Sequence, residues 1–131
     1  MTTDAELMAA LRTANAELDA ASAGEDATRA HAADLHEKQV KLEAELYAAH
    51  ANRDFIRAAE SRGETPTCRL CGHAIDVTLA ALNTKAASLE EQVRVATLIA
   101  EEAQGYADHA TAFTAMMRTR FNGMLRETFH I

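Results

Sequence analysis

Thr65-Pro66-Thr67-Cys68-Arg69-Leu70-Cys71-Gly72-His73 holds both cysteines, the single proline and one of the five glycines of a 131-residue chain. It is almost the only break in a sequence that otherwise reads as helix. On its left an alanine- and leucine-rich segment runs from residue 3 to residue 62. On its right a second segment of nearly equal length runs from residue 75 to residue 131. A turn over residues 63–74, between two matched helices, folds one back on the other. The expected fold is therefore all-α: one long antiparallel helical hairpin, a coiled coil with the Cys-x-x-Cys turn at its apex.

The first helix opens on Thr3-Asp4-Ala5-Glu6, a capping-box pattern in which Thr3 and Glu6 satisfy each other's free amides. A 4-3 spacing then runs Leu7, Leu11, Ala14, Leu18, Ala21, Glu25, Thr28, Ala32, Leu35, Gln39, Leu42, Leu46, Ala49, Arg53, Ile56. This is a coiled-coil seam with a polar fault at Glu25 and Thr28. Gly24 sits at the fault, where a mid-helix glycine costs about 1 kcal/mol against alanine, so a kink or break near residues 22–26 is left open. Gly63, as a left-handed residue just past the helix, and Pro66, as a stop, end it.

The second helix takes Asp76 as its N-cap. Its seam is Ile75, Leu79, Leu82, Ala86, Leu89, Val93, Ala96, Ala100, Ala103, Ala107, Ala110, Thr114, Met117, Phe121, Met124, Thr128, Ile131, interrupted only by the two threonines. A seven-residue repeat sustained this long predicts a left-handed supercoil. With the turn centred near residue 69, Ile56 faces Leu79 and Leu7 faces the Met124–Thr128 stretch. The Gly24–Thr28 fault then faces Ala103–Ala110 and Gly105, small residues against small, which predicts a thin waist.

Composition narrows the function. The net charge is −7, which argues against a duplex binder that neutralises phosphates. No run has the length of uninterrupted apolar residues that a membrane span needs, and Met1-Thr2-Thr3-Asp4 has no signal-peptide character. The expectation is a soluble, cytoplasmic protein in a reducing compartment, without nucleic-acid or membrane partners. Alanine supplies 30 residues, and no β-branched or aromatic run marks a strand. No serine nucleophile motif, phosphate loop or paired carboxylates are visible, and a thin hairpin lacks a substrate pocket. The chain reads as a non-enzyme.

Two places carry possible chemistry. The terminal end is rich in methionine and aromatic residues: Phe113, Met117, Phe121, Met124 and Phe129, with Met116 and Leu125, interleaved with Arg118, Arg120 and Arg126. Such a surface is either a docking patch for an unknown protein partner or the hydrophobic base of a dimer or bundle. At the tip, Cys-x-x-Cys-Gly is a zinc-knuckle pattern, in which two thiolates take one edge of a tetrahedral ion and the glycine lets the chain turn. Structural zinc needs four ligands. A second chain could supply its own Cys68 and Cys71, His73 could be a third ligand, or no metal binds. Redox chemistry at Cys-x-x-Cys has a strand–helix scaffold as its usual setting, and no strand is visible. His31, His36, His50, His109 and His130 read as lone surface histidines.

Pro66-Thr67-Cys68-Arg69-Leu70-Cys71-Gly72-His73 at the apex of an antiparallel coiled coil resembles the zinc hook of the SMC-like ATPases of double-strand-break repair. The resemblance covers the tip and the hairpin plan; Arg69 stands where the family usually has proline. It implies that Cys68 and Cys71 are ligands to a Zn2+ shared between two chains joined tip to tip. With no Gly-x-x-x-x-Gly-Lys-Ser/Thr loop in the chain, only the linking device is implied, not the repair activity.

The leading expectation is thus a structural linker that dimerises through a shared zinc and docks a partner through its Phe/Met-rich end. Such a rod would suit a phage or bacterial assembly component, a virion component among them. One alternative is a coiled-coil regulator whose tip inserts into a partner such as bacterial RNA polymerase. Another is a bundle-forming assembly factor with incidental cysteines.

Overall fold

The computed structural model describes residues 3–67, 71–72 and 78–130. Among them are two helices and no strand: α1 (Asp4–Ser61) and α2 (Leu79–Phe129), of 58 and 51 residues. The chain is all-α, with the connectivity of a helical hairpin.

Both ends of α1 are closed by the residues the sequence nominated. The Thr3 amide donates to Glu6 Oε2 at 3.1 Å and the Glu6 amide donates to Thr3 Oγ1 at 3.2 Å, a reciprocal capping box. At the other end Gly63 takes φ +69°. Its amide donates to the Glu60 carbonyl at 3.0 Å, and the Glu64 amide reaches back to the Ala59 carbonyl at 2.9 Å. That pair of bonds is a Schellman motif, and it consumes carbonyls that the helix end would leave unpaired. Between its caps α1 passes Gly24 without a break. The Gly24 carbonyl accepts the Thr28 hydroxyl at 2.6 Å.

α2 departs from expectation at its start. It begins at Leu79, not at residue 75, and its cap is Thr78: the Ala81 amide donates to Thr78 Oγ1 at 3.1 Å. A threonine three residues before that amide does the work assigned to Asp76; Asp76 and Ile75 lie outside the described residues. His130, at φ +57°, ends α2 in the left-handed region.

The chain divides into two compact units, Met1–Leu35 with Ala100–Ile131, and His36–Ile99. In the first unit the helices run antiparallel. Buried Thr114 donates its hydroxyl to the Ala21 carbonyl at 3.1 Å, and Arg29 holds Thr111 Oγ1 through Nη2 and Nε at 2.7 and 3.1 Å. Its core includes Leu11, Ala14, Ala100 and Met117, and a cluster of Ala32, Ala103 and Ala107 against which Leu35 packs. The second unit is also an antiparallel pair. Gln39 Nε2 donates to Thr97 Oγ1 at 3.2 Å, His50 Nε2 lies 2.9 Å from Glu90 Oε1, and Ala49, Ile56, Ala59, Ala86 and Leu89 are buried. Arg53, a charged seam residue, has its Nε buried without a hydrogen bond, 3.5 Å from Asp54 Oδ1.

Every α1 seam position is buried or half-buried, and so is every described α2 seam position. Even Glu25, Thr28 and Gln39 stay on the inner face. The waist needs one correction. Gly24 and Gly105 are exposed, and a Cβ built on either meets nothing within 4 Å. The small contact residues are Ala32, Ala103 and Ala107, not the glycines.

Candidate functional site

The helix ends frame the tip. Gly63 and Glu64 at one end of the segment between α1 and α2, and Thr78 at the other, satisfy backbone groups of the two helix ends. Within it, Cys71 is an exposed free thiol, followed by Gly72 at φ +72°. Left-handed backbone after a cysteine is the conformation that glycine adopts without a Cβ penalty. Cys68, Arg69, Leu70 and His73 lie outside the described residues. Among the described residues no group of three or more His, Cys, Asp or Glu could hold a metal.

The acidic residues near the apex are partly engaged. Glu64 accepts Arg62 Nη2 at 3.1 Å, and its amide closes α1. The histidines on the shaft are exposed, except His50, which is half-buried against Glu90. On α2 the exposed Glu91 carboxylate lies 2.9 and 2.6 Å from Arg94 Nε and Nη2. This hydrogen bonding, with the guanidinium charge, holds Glu91 below the usual carboxylate range and raises Arg94.

The five residues assigned to partner docking separate. Phe113 and Phe129 are exposed, at 46% and 52%, while Phe121 and Met124 are half-buried. Met117 is buried in the first unit, so its neighbour Met116, at 58%, is the methionine that faces outward. A cleft of about 320 Å³ there is lined by Asp4, Leu7, Met8, Thr128 and Phe129. In the second unit Leu42, Gln92, Val95, Ala96, Ile99 and Glu91 line a shallow apolar groove of about 350 Å³.

Sequence reasoning passed over Val95, Leu98, Ile99 and Tyr106, all exposed on α2. The signal was present as a second apolar row, with Val95, Ile99 and Tyr106 each one residue before a position of the first seam. No helix among the described residues is long and apolar enough to cross a membrane. No protein-family model, curated protein or solved structure matches the chain.

Proposed function

We propose that this chain is a non-enzymatic linker: two copies join at their tips through one Zn2+ held by Cys68 and Cys71 of each, and the Phe113–Phe129 end docks a protein partner. The observation that carries the reading is the exposed Cys71 thiol with left-handed Gly72, on the connection between α1 and α2. Two thiolates from one chain leave half of a tetrahedral zinc open, and a second copy completes it with identical chemistry. Bound zinc would supply cross-linking alone, and its ligands must stay reduced, which suits the cytoplasm or a particle assembled there.

Native mass spectrometry of chelator-free protein tests this. The expected result is one zinc per two chains, an assembly that shrinks with EDTA, and loss of both in Cys71→Ser. One zinc per single chain would make the tip self-contained, with His73 a ligand. No zinc, and a mass indifferent to EDTA, would remove the linker reading.

A further inference from the structure

The cleft where the two ends of the chain meet has a charged border. Leu7 and Met8 of α1 and Thr128 and Phe129 of α2 line it, and Asp4 is the charged side chain on it. Met8 and Phe129 are both exposed, so the cleft opens on apolar surface. All of these residues belong to one compact unit, Met1–Leu35 with Ala100–Ile131. Helical spacing places cations beside them. On α2, Arg118, Leu125 and Phe129 are seven and four residues apart and share a stripe, with Arg126 at its edge three residues before Phe129. On α1, Arg12 lies one turn beyond Met8.

Arg12, Arg118 and Arg126 are exposed. None has an acid three or four residues away on its own helix, and none makes an ion pair among the described residues. Elsewhere cations are met within a turn: Arg29 by Glu25, Lys41 by Glu37 and Arg94 by Glu91. The chain carries −7 overall, yet residues 113–130 hold three arginines against one glutamate. Uncompensated guanidinium groups around an apolar cleft fit a partner that brings carboxylates and one apolar anchor. Asp4 repels an acid from the cleft itself, so the cleft takes the anchor. From Phe129 back to Arg118 is eleven residues, about 16 Å of helix. A helix with its anchor at one end and acids over the next three turns of the same face meets both conditions.

We propose that the protein docked at this end presents an acidic amphipathic helix, whose apolar anchor fills the cleft between Met8 and Phe129 and whose carboxylates meet Arg12, Arg126 and Arg118. This partner chemistry rests on the reading above that the Phe113–Phe129 end docks a protein. It is independent of the tip and of any metal. The anchor supplies the buried area, and the arginines set the direction in which the partner helix lies.

The test is selection on the full chain, in EDTA and reductant, from a display library of helical peptides randomised along one face. Enriched peptides should carry a large apolar residue at one end and several acids, and binding of the synthetic peptide, read by fluorescence anisotropy, should weaken with added salt. Phe129→Ser should abolish binding. Arg118→Glu with Arg126→Glu should weaken it about tenfold or more, and the same peptide with its acids changed to lysine should bind that double variant better than the unaltered chain. All three positions are exposed, so circular dichroism should show unchanged helix content in each variant. Enriched peptides that need Phe129 but are neutral or basic overturn the acidic partner and leave the docking reading standing. No enrichment, or binding indifferent to Phe129→Ser, overturns both. Two further results overturn the proposal by giving the arginines another occupant: binding to phosphatidylserine vesicles that the double arginine variant loses, with no acidic peptide enriched, and dimerisation in EDTA that the same variant abolishes. Because chelator is present throughout, none of these outcomes bears on the zinc reading.

Discussion

Ala107 offers the sharpest test of how the first unit is packed. In an ordinary coiled coil, leucine at a seam position stabilises. The three added carbons would contribute about 0.8 kcal/mol each, or about 2.4 kcal/mol, if they entered space already available. Ala107 is only 1% exposed and clusters with Ala32 and Ala103, with Leu35 packed against them. Neither of the two clefts described above borders it. A leucine there must force the helices apart or take a strained rotamer, and overpacking of this kind costs about 1–3 kcal/mol. The two accounts therefore differ in sign.

Thermal unfolding of Ala107→Leu, followed by far-ultraviolet circular dichroism at low concentration in EDTA, separates them. With about 3–5 °C per kcal/mol for a chain of this length, Tm should fall by roughly 5–10 °C. Ala115→Leu, on the exposed side of α2, controls for helix propensity and should leave Tm within about 2 °C, since the two residues differ little in a helix. A rise in Tm for Ala107→Leu would refute the close packing of the alanine cluster.

Gly63→Ala should cost about 1–2 kcal/mol, because φ +69° is left-handed and the Schellman bonds need it; chemical denaturation measures this. Thr3→Ala should cost about 1 kcal/mol locally by removing the capping box, and hydrogen exchange at Ala5–Leu7 should quicken while the rest of α1 is unchanged. Leu89→Ala, at a buried seam position of the second unit, should cost about 2–5 kcal/mol in thermal unfolding. Glu91 should titrate below the usual carboxylate range in an NMR pH series. Its folded pKa is depressed, so its ionic contact with Arg94 is intact at neutral pH and is lost only as pH falls through the folded value; added salt should shrink the shift.

The long-range plan was legible because burial follows the 4-3 rows. Both seams read from sequence are the rows that point inward, including polar members such as Glu25 and Gln39. The observed pairs Arg29–Thr111, Gln39–Thr97 and His50–Glu90 have midpoints within a few residues of 69, the centre expected from the turn. Local chemistry was less legible where two residues compete for one role. Thr78 and Asp76 are both good caps, and spacing alone did not choose between them. Met116 and Met117 are the same residue type one position apart. A rotation of about 100° per residue puts one outside and one in the core. The glycines misled for a different reason: a small residue permits close approach but does not cause it, and Gly24 and Gly105 face open space.

Alanine abundance also explains why the second row on α2 was hidden. Alanine occupies inner and outer faces alike, so the 4-3 pattern of the first seam masks the apolar residues Val95, Ile99 and Tyr106 beside it. Exposure separates the two rows: the first is consumed by α1, and the second has no partner among the described residues.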